Sequence, residues 1–267
     1  MARGLKSDLI ALGVMVALLG GASMLQPDTS LQLVERSGVL RVCVPQSFPP
    51  LVNDNRTNPG FDISILEEIA KRSNLRLSTN VSATMGRDFN PANWRITRAQ
   101  CEVVAGGVVT SVMTRSFLET IDTGIENGWV MISKGAAPAK GARIGVYPGF
   151  AGLDRLKLST YLRDSGYQIA LASSPEAVVQ ELKAGQYDAA VASSLDALQV
   201  VSASPGYSTN WLPESLGRFA FGLGLWKGDV TLKRRVLSAW RAMQQDGFVA
   251  QQRARYGLIE MPKTAGL

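Results

Sequence analysis

Histidine is absent from this chain of 267 residues, and cysteine occurs only at positions 43 and 101. The first absence removes Ser-His-Asp and Cys-His nucleophile systems, a histidine general base, and His-ligated zinc or haem. Two thiols cannot build a four-cysteine metal site, so neither a metal nor a cofactor is expected. No Lys/Arg-rich block interleaved with aromatics occurs either, so nucleic acid is not an expected partner despite the net charge of +6. The basic residues are spread along the chain, a surface bias that would favour an anionic ligand or a membrane surface. With 46% hydrophobic and 19% charged residues, the chain is large and apolar enough for one big domain or two lobes.

A long apolar stretch, 9–25, follows Arg3 and Lys6 and ends among Gly20, Gly21, Ala22 and Ser23. That is the pattern of an export signal, though long for a signal core and slightly short for a comfortable membrane span. Residues 1–28 are therefore expected to be a signal peptide or an N-terminal inner-membrane anchor, and the protein to be exported to the periplasm. Export changes the reading of the cysteines. Cys43 lies on a core strand and Cys101 opens another apolar run, so two neighbouring strands could bring them together. A disulfide closing a loop of about 60 residues would contribute about 4 kcal/mol in the chain-entropy account; two inert core thiols are the alternative.

Residues 39–44 form a short, nearly continuous apolar run, the pattern of a strand buried on both faces. Pro45, Pro49 and Pro50 stop it. A helix follows, with Asp62 as its expected cap and Ile65, Leu66, Ile69 and Ala70 on one side. In such a strand-loop-helix unit the loop at the carboxyl end of the strand faces the ligand crevice. A short strand is expected around 75–78, a buried strand over 101–107 ending in Gly106-Gly107, and another apolar run at 129–133. The Gly- and Pro-containing segment 134–142 reads as a linker. Beyond it, strands at 143–147, 169–172, 189–192 and 207–212 alternate with helices at 153–162, after Ser174-Pro175, and at 195–201. The segment RFAFGLGLWKG then reads as a returning strand. Asp229 is the expected cap of a helix carrying Leu232, Val236, Trp240 and Met243, which should pack on the first lobe.

Five pieces occur in a telling order: SFPPL at 47–51, GFDISILEEIAKR at 60–72, CEVVAGGVVTSVMTR at 101–115, GQYDAAVASS at 185–194 and WKGDVTLKRRV at 226–236. Together they cover nearly all of 38–258, and the sequence resembles the periplasmic solute-binding proteins of the polar amino acid uptake class. The resemblance implies an α/β, two-lobed Venus-flytrap type II periplasmic-binding-protein fold with mixed, mainly parallel sheets. Lobe 1 is expected over 38–133 plus 217–258 and lobe 2 over 143–212, joined through 134–142 and 213–217. It also implies non-catalytic binding of a small molecule for an ABC-type importer and its membrane permease, by a monomer.

In that family an arginine of the Thr/Arg segment holds the ligand carboxylate, a role Arg115 fits if the segment carries a short insertion. The position whose Asp receives the ligand ammonium is Ser193 here, and Phe150 stands where a Ser or Thr helps bind the carboxylate. The aromatic pair expected in 120–128 is missing. A hydroxyl opposite an ammonium loses most of a charge-assisted bond, so the ligand is expected not to be a standard α-amino acid. Phe48 and Phe150 would present aromatic walls with Tyr147 beside them, and Gly107 and Thr110 complete the expected binding set. Two other functions fit the pattern. Cys43 in RVCVP and Cys101 before EVV also resemble solute-binding-like accessory proteins that partner periplasmic quinoprotein dehydrogenases. A dehydratase on the same fold would need an Asp, Glu, Lys or Tyr acid/base, and no carboxylate pair in the expected loops suits it. The run 149–152, GFAG, follows a strand like a phosphate loop but lacks the following Lys-Ser/Thr.

Overall fold

A computed structural model describes residues 12–16, 28–86, 89–149 and 153–258. The apolar stretch 9–25 lies largely outside these residues. Among the described residues no helix is long and apolar enough to cross a membrane. Helix α1 (Ser30–Ser37) leads into β1 (Val39–Val44), α2 (Phe61–Arg72), β2 (Arg76–Val81), β3 (Val103–Val109), α3 (Val112–Phe117) and the long strand β4 (Leu118–Ser133). Then come β5 (Arg143–Val146), α4 (Arg155–Asp164), β6 (Gln168–Leu171), α5 (Pro175–Lys183), β7 (Ala189–Ser193), α6 (Ser194–Ser202) and β8 (Ser208–Trp211). Strand β9 (Arg218–Trp226) and helices α7 (Val230–Gln245) and α8 (Phe248–Arg255) close the chain.

The strands run in the order β2-β1-β3-β9-β4-β7-β5-β6, with β8 also on β4. The sheet is mixed, as expected: β2-β1-β3 and β6-β5-β7 are parallel, while every pairing of β4 and β9 is antiparallel. Strand β4 joins two halves. From Leu118 to Gly128 it pairs with β9, and from Trp129 to Ser133 it pairs with β7 and β8. The change of half thus falls between Gly128 and Trp129, not in 134–142, which links β4 to β5 inside the second half. Polar LETIDTGIENG followed by apolar WVMIS reads as two elements because the strand passes from a partly solvated setting into a buried one. The small-residue segment is instead tied down locally, with Gly141 N donating to Gly166 O at 2.8 Å.

Two expected caps are placed differently. Helix α2 starts after Gly60, at φ +103°, and its Phe61 and Asp62 N–H groups donate to Pro50 O and Leu51 O at 2.9 and 3.0 Å. With those donors already satisfied by loop carbonyls, the Asp62 side chain turns inward. It is 2% exposed and accepts the Gly106 N–H at 2.8 Å, while its Oδ1 has no partner. Burial pushes its carboxyl up to about 7 even though the Gly106 N–H pulls the other way. At α7, Asp229 occupies the cap position but spends its carboxylate on Arg98. The cap comes from Asp28, which accepts Thr231 N at 2.6 Å and Thr231 Oγ1 at 2.8 Å. Burial works against the charge of Asp28, but its bonds from Thr231 and Ser30 outweigh that and hold its carboxyl well below the usual range. Ser174 does cap α5, accepting Ala177 N at 3.1 Å ahead of Pro175.

Leu232, Val236, Trp240 and Met243 of α7 join the core of the first half, with Phe61, Ile65, Leu66 and Ile69 of α2. Cys43 and Cys101 form a disulfide between neighbouring β1 and the entry to β3, packed with Met85, Trp94 and Leu118. Replacing both cysteines by alanine should lower the urea midpoint by the equivalent of about 4 kcal/mol in the chain-entropy account; an unchanged midpoint would show that the cross-link contributes nothing. Asp62 gives a second test. A buried acid with a raised pKa makes the folded state bind the extra proton, so stability falls as pH rises from the ordinary value of 3.8 to about 7. Relative to Asp62→Asn, the wild-type protein should lose up to about 4 kcal/mol across that window. Parallel stability curves for the two proteins would contradict it.

Candidate functional site

The loop leaving β1 is folded back on itself. Phe48 N donates to Val52 O at 2.7 Å and Val52 N to Phe48 O at 2.9 Å, which fixes the direction of the Phe48 ring. The ring lies over Gly107, at φ +97°, where a Cβ would come within 3.3 Å of it. It meets Phe221 edge-on at 5.7 Å and Phe89 at 6.2 Å, and Phe219 closes the group at 5.4 Å from Phe221 and 5.6 Å from Phe89. Four phenylalanines thus form one aromatic wall on the first half.

The facing wall is built at the end of β7. Ser193 is the N-cap of α6, accepting Asp196 N at 3.2 Å and donating its own hydroxyl to Asp196 Oδ2 at 2.6 Å. This reciprocal arrangement is a capping-box spacing with aspartate at the fourth position. Burial raises the Asp196 carboxyl above its ordinary value, and the Ser193 bond only partly offsets that. Tyr147 stands beside it, its phenol raised by burial and then by the charges of Asp196 and Glu176, against a smaller lowering by the charge of Arg155. Gly149, at φ +52°, lies so near that a Cβ would come within 2.7 Å of Asp196 Oδ2, and Arg155 Nη2 holds the Gly149 carbonyl at 2.6 Å. On β4, Asn127 is fully buried. Ser194 Oγ shares its hydrogen between Glu126 O and Asn127 Oδ1, both at 2.9 Å, and leaves Asn127 Nδ2 without a partner. An unpaired buried donor costs about 1–3 kcal/mol.

A cavity of about 390 Å³ opens between the walls, lined by Phe48, Met85, Asn127, Tyr147, Ser193, Leu195 and Asp196 among others. Leu195 and the neighbouring Leu198 also pack into the core of the first half, so α6 touches both sides. Asp196 is the one charged group among the described residues lining the cavity. Among the described residues no group of His, Cys, Asp or Glu is arranged to hold a metal ion.

Of the expected binding set, Phe48, Tyr147 and Ser193 come together at this cavity. Gly107 acts as the seat of the Phe48 ring. Thr110 is engaged elsewhere, its N and Oγ1 both donating to Ala220 O at 2.9 and 3.1 Å. Arg115 is exposed on the short helix α3, which packs on β4 and the 91–93 turn, and does not line the cavity. Phe150, and most of the GFAG run, lies outside the described residues. Asp196, Asn127 and the Phe219/Phe221 pair went unread in the sequence. The S-x-x-D spacing and the F-x-F alternation on a returning strand were the available signals.

The sequence matches no protein-family model and no curated protein. Its structure is similar to solved ones. An ancestral cationic amino acid solute-binding protein superposes with a TM-score of 0.67 at 18% identity, covering 85% of this chain and 99% of that one. A polar amino acid ABC uptake transporter substrate-binding protein from Streptococcus thermophilus gives 0.69 at 14% identity, covering 86% and 90%. An ancestral cyclohexadienyl dehydratase gives 0.58 at 18% identity, covering 85% and 95%. The chain has the two-lobed type II periplasmic-binding-protein fold.

The aromatic wall yields a test. Gly107→Ala should destabilise the protein by about 1–3 kcal/mol, from the positive φ and the contact with Phe48 together. In a double-mutant cycle with Phe48→Ala, part of that loss should disappear; strict additivity would show that Gly107 does not seat the ring.

Proposed function

We propose that this protein is exported and binds a small organic cation between its two lobes without turning it over, for delivery to the permease of an ABC-type importer. The observation carrying the proposal is Asp196: a carboxylate held by Ser193 in an apolar setting, and the only charge among the described cavity-lining residues. Burial makes its ionised form costly, and an ammonium or guanidinium placed against it would recover a charge-assisted bond. Phe48, Met85 and Leu195, which line the cavity, suit the apolar body of such a ligand. The solved structures similar to this one include a cationic amino acid solute-binding protein and a polar amino acid uptake protein, which supports solute binding. Arg115 lies away from the cavity, so the described residues offer no guanidinium for a ligand carboxylate, and a standard α-amino acid is not the proposed ligand. A dehydratase is the second reading, favoured by the raised Asp196 carboxyl and by the likeness to a cyclohexadienyl dehydratase; loss of water from a cyclohexadienyl substrate would establish it.

The experiment is thermal denaturation of the full chain against a panel of amines and guanidines. Binding at a hundredfold excess over Kd should add about 2.7 kcal/mol. Asp196→Asn should weaken binding at least tenfold. Wild-type affinity should rise with pH as Asp196 ionises, since only the carboxylate attracts the cation. Shifts with anions alone, or an Asp196→Asn variant with unchanged affinity, would reject the cation. No shift with any solute, together with co-purification of a dehydrogenase, would favour the accessory-protein reading.

A further inference from the structure

We infer that the ligand carries, beside its cationic nitrogen, a neutral oxygen acceptor such as a carboxamide carbonyl or a hydroxyl, and that Asn127 recognises it. This rests on the proposed cation at Asp196 and adds the other end of the ligand's polar group. The Asn127 amide is fixed by the Ser194 hydroxyl at its Oδ1, which leaves Nδ2 as a donor with no partner in a fully buried side chain. Its position is set by the strand: Asn127 is next to last on β4 before the change of half, and Trp129, two residues on, pairs with Ser193. Asn127 and Asp196 therefore line the same cavity, one from β4 and the other from the start of α6.

Charge decides what the acceptor is. A carboxylate buried against one amide N–H would lose far more hydration than it regained, unless a cation stood beside it. Among the described residues lining the cavity there is none. Arg115 is exposed on α3, and Arg155 donates to the Gly149 carbonyl without lining the cavity. A carbonyl or hydroxyl is the acceptor that a neutral buried donor satisfies at least cost. The ligand class is thus an amino amide or amino alcohol in place of an amino acid.

Calorimetric titration of the full chain with lysine, lysinamide and cadaverine, and with arginine, argininamide and agmatine, separates the terms. The carboxamides should bind at least tenfold tighter than the amines that lack the oxygen, and the free amino acids weakest of the three. Asn127→Ala should erase the carboxamide's advantage over the amine, whatever its effect on the affinity for both. Asn127→Ser, which keeps a donor in a smaller side chain, should retain part of it. Amino acids binding as tightly as their amides, or an Asn127→Ala protein that keeps the advantage, would overturn the inference and leave the cation site standing. If neither variant folds, the wild-type ranking alone decides. Failure of every amine and amide to bind would overturn the cation site, and this inference with it.

Discussion

The hydrogen bonding of one strand to two sets of partners governs the shape of the molecule. Because β4 leaves β9 at Gly128 and meets β7 and β8 from Trp129, its side chains are delivered to two different cores within a few residues. Residues two apart on a strand share a face, and here that face crosses a border. Trp129 goes into the core of the second half, while Asn127 remains at the cavity. Gly128 itself lies beneath Trp211, where a Cβ would come within 2.9 Å of the indole. The cavity is thus a product of the border, and its polar group sits where the backbone changes allegiance.

Two buried acids illustrate how one cost can have different outcomes. Asp62 and Asp196 are both raised by burial, and each is pulled back by a single hydrogen bond. Asp62 is sealed between α2 and β3, where its bond to Gly106 ties the loop-helix unit to the sheet. Asp196 stands at a cavity, with Ser193 holding it in place. The same desolvation makes the first a structural tie and leaves the second open to a partner from solution.

Much of the architecture was legible in the residues. The apolar runs of β1, β3 and β7, the Ser174-Pro175 cap and the spacing of Leu232, Val236, Trp240 and Met243 each express a local periodicity, and local periodicity survives folding. What was not legible depends on partners distant in sequence. Asp62 and Asp229 look like caps until loop carbonyls at 50–51 and Arg98 intervene. Asp28 looks like nothing until Thr231 arrives. The site divides in the same way. Phe48, Tyr147 and Ser193 follow from strand ends, which topology places at a cleft. Asn127 and the Phe219/Phe221 wall need the register of β4 on β9, and Asp196 was hidden because S-x-x-D reads as ordinary helix capping.

The order of the strands also sets an order in time. The second half, from Trp129 to Trp211, is one continuous stretch and can close on itself as soon as it has been made. The first half cannot. Its β9 belongs between β3 and β4, its helix α2 packs on α7 and α8, and the bond that fixes Asp28 waits for a threonine more than two hundred positions later. Contacts so distant along the chain are slow to form and leave apolar surface exposed meanwhile. In a polypeptide that emerges amino-end first, the portion that appears earliest is therefore the portion completed last, and it is the one a holding chaperone would have to shield.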